Sequence, residues 1–89
     1  MTYAVLLHPK AAEELRALDE PLRTRIRNRL RELGSDPEKI GKRLKYSDYW
    51  SLRMGDYGAI YEISEGKRQV IVLFVGHRKN VYDDFSKLF

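Results

Sequence analysis

The sequence predicts one α+β domain: an N-terminal strand, a two-helix hairpin, then a three-stranded antiparallel meander that completes a four-stranded sheet, and a short C-terminal helix. Three observations carry this prediction. Apolar residues in the first half recur at helical spacing. Those in the second half alternate or run together, as in strands. Two tight-turn signals then divide the second half into three consecutive strands. With 89 residues, the chain has room for a single domain around a single core.

The first strand is Tyr3 to Leu7, a short apolar run that His8-Pro9 stops. Pro9 suits a first helical turn, and Ala11, Ala12, Leu15 and Leu18 follow on one face. Asp19 breaks this helix and is expected to cap the next, with Pro21 in its first turn. Leu22, Ile26, Leu30 and Leu33 form the second apolar stripe. Gly34 is expected as a left-handed stop, and Asp36-Pro37 prevents continuation. Residues 35–48 form the longest connection, carrying Lys39, Lys42, Arg43 and Lys45. Beyond it, Trp50, Leu52 and Met54 alternate with Tyr49, Ser51 and Arg53, so Arg53 points away from the apolar face. Gly55-Asp56 is a two-residue hairpin turn, Tyr57 to Ile63 the returning strand, and Glu65-Gly66 a second turn. Gln69 to Val75 is almost unbroken apolar, which places it centrally in the sheet. Val81, Phe85 and Leu88 fit a terminal helix. Helices on one side of such a meander make a two-layer sandwich.

Composition narrows the function classes. Hydrophobic residues at 43% and charged residues at 34% describe a globular chain rather than a disordered one. The absence of cysteine excludes disulfides and thiolate metal sites and fits a reducing cytoplasm. The apolar start is too short for a signal peptide, and no stretch approaches the length of a membrane span. Two histidines far apart make a zinc site a poor fit. No glycine-rich phosphate loop follows a strand, and Ser51 has no histidine near it in sequence.

Seventeen Lys and Arg give a net charge of +4, which favours a polyanionic partner. The arginines of the second helix, Arg23, Arg25, Arg27, Arg29 and Arg31, flank its apolar stripe on both sides, as on an ordinary solvated amphipathic helix. A second set is more informative. Lys42, Arg43 and Lys45 lead into the strand of Arg53, while His77, Arg78 and Lys79 follow the central strand. A meander brings the start of one strand beside the end of another. These cations then converge on one face, with Tyr49 and Tyr82 as aromatic neighbours. Charges for phosphates and rings for splayed bases are what single-stranded RNA requires. The plainer alternative is an exposed basic rim.

Several segments together resemble a known family: Leu44-Lys45, the run from Tyr49 to Tyr57, Tyr61-Glu62-Ile63, and Gly76 to Tyr82. Their order and spacing are similar to those of the RelE/ParE toxin superfamily over nearly the whole chain. The resemblance implies a sheet packed on two helices, a toxin–antitoxin system with a cognate antitoxin, and no cofactor or metal. In the RelE branch it implies cytoplasmic, ribosome-dependent cleavage of mRNA. In the ParE branch it implies non-catalytic inhibition of DNA gyrase. Arg53, Arg78 and Tyr82 match the family's active-site cations and terminal tyrosine, and Lys45 matches more loosely. The sequence departs from the family at Ser51, where a cation is usual, and at Gly58, where the family carries a strand arginine. Gly58 is expected to weaken its strand. It reads either as divergence offset by other cations or as a change that disarms a toxin.

Metal-free RNA cleavage uses the neighbouring 2′-OH as nucleophile. Arginine does not deprotonate in proteins. Arg53 and Arg78 are therefore cast as phosphate clamps and transition-state stabilisers. Tyr82 is cast as donor to the leaving oxygen or as a stacking ring. Lys42, Arg43, Lys45, Tyr49, His77 and Lys79 are expected to bind RNA, His77 being the nearby group that ordinarily titrates near neutrality.

Overall fold

The computed structural model describes residues 2–81. Its elements are β1 (Ala4–Leu7), α1 (Pro9–Arg16), α2 (Leu22–Arg31), a 3₁₀ turn (Glu32–Gly34), α3 (Pro37–Ile40), β2 (Lys42–Arg43), β3 (Tyr49–Met54), β4 (Tyr57–Ser64) and β5 (Gln69–His77). One mixed sheet orders them β1-β5-β4-β3-β2. The predicted α+β architecture is present, with the meander β3-β4-β5 and the apolar strand β5 in the interior of the sheet. β1 adds on the far side of β5 in parallel register, Ala4 opposite Gln69. The sheet has a fifth strand, β2, whose two residues pair with Ser51 and Trp50. Two residues are too few to show periodicity, so the connection at 35–48 hides both β2 and the one-turn α3. Residues 78–81 begin the expected last helix, while Phe85 and Leu88 lie outside the described residues.

The core lies between the helices and one sheet face. Ala11 and Leu15 of α1 and Ile26 and Leu30 of α2 pack with Leu33, Leu52, Ala59, Tyr61, Val70, Val72 and Val75. Each large aliphatic side chain removed from water here contributes about 1.5–3 kcal/mol. The other sheet face carries a smaller cluster of Ile60, Phe74 and Val81, flanked by Leu44, Tyr49 and Leu73. A bulge decides which residues face which way. Ile60 pairs with Phe74 but Tyr61 with Val72, leaving Leu73 as an extra residue in β5. Its side-chain alternation resets there, sending Val75 to the helices and Phe74 to the open face. Beyond the end of β1, the Val75 N–H donates to Glu14 Oε1 of α1 at 3.1 Å.

Two local expectations are corrected. Gly34 is not left-handed; a Cβ there would lie 2.9 Å from the Tyr3 carbonyl oxygen, so close approach is what requires glycine. Asp19 does not cap α2 through its side chain. The cap residue is Pro21, and Glu20 reaches Thr24 instead, accepting its N–H at 2.9 Å and its hydroxyl at 2.7 Å. Those two hydrogen bonds from Thr24 hold the Glu20 carboxyl below the ordinary 4.5. A depressed carboxyl contributes stability above its unfolded pKa and loses it as pH falls through the folded one. Glu20→Gln is therefore expected to melt less steeply with acid below about pH 4.5 than the parent chain. Parallel melting curves for the two proteins across the acid range would count against it.

Candidate functional site

The register across the middle strands builds the site. Arg53 of β3 pairs with Gly58 of β4, and Gly58 with Gly76 of β5. This row lies one residue from Leu52, Ala59 and Val75, which face the helices, so it faces the open side. The two glycines leave a trough across the sheet. A Cβ on Gly58 would meet Arg78 Cγ at 3.2 Å, and one on Gly76 would meet Val81 Cγ2 at 3.1 Å. The Arg78 stem thus lies over Gly58, and its backbone N–H is anchored on the Asp56 carbonyl at 2.8 Å. Gly58 sits buried beneath Arg78, with β4 paired on both sides of it.

Beside the trough is a cavity of about 320 Å³ lined by Arg29, Ile40, Gly41, Lys42, Ser51, Leu52, Arg53 and Arg78. Four cationic residues line it and, among the described residues, no carboxylate does. Among the described residues, Lys42, Arg53 and Arg78 join no ion pair, whereas Arg29 meets Glu32 at 2.9 Å. Arg78 Nε is buried without a hydrogen-bond partner among the described residues. A buried guanidinium nitrogen left so is costly. The Ser51 hydroxyl lies 3.4 Å from the Lys42 carbonyl oxygen across the β2–β3 pair.

The expected residues divide into four groups. Arg53, Arg78 and Lys42 meet at this cavity, and both departures, Ser51 and Gly58, sit at it or beneath it. His77 and Lys79 line a neighbouring hollow of about 300 Å³ with Asp56 and Arg78. The His77 ring packs edge-on against Tyr57, which belongs to the helix side of the sheet. His77 Nδ1 lies 3.4 Å from the Lys79 N–H that it caps. Arg43, Lys45 and Tyr49 are not at the cavity. Arg43 ties the 44–48 loop, its Nε donating to the Ser47 carbonyl at 2.9 Å. Lys45 stands over the exposed Tyr46 ring. Tyr49 packs on the apolar cluster of Ile60, Phe74 and Val81. Tyr82 lies outside the described residues.

Arg29 is the cavity residue that sequence reasoning missed. Its position on α2 looks like any other flank of an amphipathic stripe, and only the packing of α2 with Leu52 of β3 in one core brings it to the cavity that Lys42 also lines. Among the described residues, no group of three or more His, Asp or Glu side chains is placed to hold a metal ion, and no helix is long and apolar enough to cross a membrane.

Comparison with known proteins agrees with the fold. The family model described as the ParE toxin of the type II toxin-antitoxin system parDE matches residues 5–82. Among solved structures, a chain of the toxin-antitoxin complex RelBE2 from Mycobacterium tuberculosis is 26% identical, with 88% of this chain and 100% of that chain covered and a TM-score of 0.79. A doubly substituted E. coli toxin RelE in the free state shares the fold, at 24% identity, 100% and 99% coverage and a TM-score of 0.78. The archaeal RelE-RelB complex from Pyrococcus horikoshii matches at 26% identity, 88% and 97% coverage and a TM-score of 0.71. No curated protein sequence gives a significant match. With nearly its whole length matched by one toxin family and its fold shared with RelE structures, the chain belongs to the RelE/ParE superfamily of type II toxin–antitoxin toxins.

Proposed function

We propose that this toxin is a metal-free endoribonuclease that cuts message on the ribosome in the cytoplasm and is neutralised by a cognate antitoxin. The observation that carries the reading is the cavity where Lys42, Arg53 and Arg78 converge, with no lining carboxylate among the described residues. Its volume suits a phosphodiester rather than a duplex. In the reaction, the 2′-oxygen attacks the adjacent phosphorus and the bond to the 5′-oxygen breaks. The 2′-OH proton leaves to a base, and the departing 5′-oxygen takes one up. Arg53 and Arg78 stabilise charge gathering on the non-bridging oxygens. Lys42 and Ser51 are the lining side chains able to hand a proton to the leaving oxygen. The role given to Tyr82 stays as the resemblance implies it. An antitoxin partner is supported by relatives solved as toxin-antitoxin complexes.

The test is primer extension on a translated message, with and without ribosomes. Ribosome-dependent cuts support the reading. No cutting, combined with inhibition of gyrase supercoiling, would replace it with the activity of the ParE branch, for which the matched family model is named.

The same assay settles what Gly58 does. A side chain at 58 pushes on the Arg78 stem, because its Cβ would lie 3.2 Å from Arg78 Cγ and the stem would have to give by a few tenths of an ångström. Gly58→Arg is therefore expected to lower cleavage several-fold rather than restore it. A gain in cleavage or toxicity would instead mark Gly58 as a disarming change.

A further inference from the structure

Arg29 stands where two cavities meet. It lines the phosphate cavity with Lys42, Arg53 and Arg78. It also lines a groove of about 400 Å³ with Leu22, Arg25, Ile26, Met54 and Gly55. That groove runs between α2 and the β3–β4 turn. Its floor is apolar, from the buried Ile26 and the half-buried Leu22 and Met54, and its rim is cationic. Among the described residues, no carboxylate lines either cavity. Among the described residues, the charge set around both is thus Arg25, Arg29, Lys42, Arg53 and Arg78, with Glu32 paired to Arg29 from within the same helical region. The Glu32 contact uses Arg29 Nη1, which leaves its other nitrogens to face a ligand.

We infer that the RNA continues from the cleft across Arg29 into this groove, where Arg29 and Arg25 hold the phosphate next to the scissile one and the apolar floor receives its base. The inference rests on the ribonuclease reading and extends it by one nucleotide. A strand leaving the cleft on this side meets a continuous cationic rim. An apolar floor is what an unstacked base requires, since its faces are poorly solvated and its edges keep their water. The groove therefore acts as a specificity subsite, and Glu32 moderates it by neutralising part of the Arg29 charge.

The experiment uses a labelled single-stranded RNA whose 2′-OH at the cut is replaced by hydrogen, offered free and on programmed ribosomes. Binding is titrated against salt for the parent protein and for Arg29→Gln, Arg25→Gln and Arg27→Gln. Arg27 is an equal loss of charge on α2 facing a different groove, with Val5 and Leu7. Arg29→Gln and Arg25→Gln should each flatten the log–log salt slope by ~0.7, as for one lost single-strand phosphate contact. Arg27→Gln should not. Glu32→Gln should tighten binding at low salt. In cleavage, Arg29→Gln should raise KM more than it lowers kcat, as loss of a uniform contact does. If the Arg25 and Arg29 variants match Arg27→Gln in slope, the path is wrong while the cleft reading stands. If they leave RNA unaffected and weaken only antitoxin binding, the groove belongs to that partner. If the parent protein neither binds RNA in either form nor cuts message, the ribonuclease reading itself fails and takes the path with it.

Discussion

Arg78→Ala should lower message cleavage ~10²–10³-fold, the loss seen when one preorganised charge-stabilising donor is removed from an active site. Arg78 is the residue on which the site converges. It lines both the cationic cavity and the hollow of His77 and Lys79. Its backbone is anchored on Asp56, so truncating the side chain leaves the chain path in place. Its Nε is buried with no partner among the described residues, so truncation should cost the fold little. Activity and stability are therefore expected to part company in this variant. Arg78→Lys should recover little, because an ammonium cannot present the planar fork that grips two phosphate oxygens. Primer extension gives the rate and thermal melting the stability. Cleavage within a few-fold of the parent, with the fold intact, would remove Arg78 from the chemistry.

Gly41→Ala is expected to be the most destabilising small substitution in the chain. A Cβ at Gly41 would fall on the Tyr61 hydroxyl and within 2.8 Å of the Ser51 carbonyl oxygen. Tyr61 cannot yield cheaply. Its side chain is fully buried, lies stacked near Trp50 with ring centroids 6.5 Å apart, and donates to the Pro37 carbonyl at 2.5 Å. Burial, reinforced by the charge of Glu38, pushes its phenol up to about 12, so it stays a neutral donor. Expelling such a ring costs about 3–5 kcal/mol. That is a large share of the 5–15 kcal/mol typical of a domain. At ~4–8 °C per kcal/mol, the melting temperature should drop by more than ~10 °C. Tyr61→Phe in the same chain should recover part of the loss, the coupling expected of groups in contact. A melting temperature within a few degrees of the parent would show that β2 and α3 shift freely. They do not look free to do so, since Gly41 joins them and its neighbour Lys42 lines the cleft.

Much of this molecule was legible from residues alone, for a reason that also sets the limit. Helical and strand periodicity report which face of a local segment is apolar. The stripe of Leu22, Ile26, Leu30 and Leu33, the alternation around Leu52, and the apolar run of β5 accordingly found their partners in one core. Arg53 opposite Leu52 follows from the same alternation. What periodicity does not report is pairing across the chain. The parallel β1–β5 pair, the two-residue β2 and the extra residue at Leu73 depend on contacts between distant segments. The site depends on them too. The bulge turns Gly76 to the open face and His77 toward Tyr57, and α2 packs so that Arg29 lines the same cavity as Lys42.

The sequence by itself determined the α+β class, the central strand, the core and the side of the sheet on which Arg53 stands, because each is encoded within a few neighbouring residues. Only the tertiary structure decided that Gly58 is the floor beneath Arg78, that Arg43 and Tyr49 serve the loop and a small apolar cluster, and that a helix contributes a cation to the cleft. Those outcomes depend on distances between side chains far apart in the chain, which close packing sets and no local pattern records.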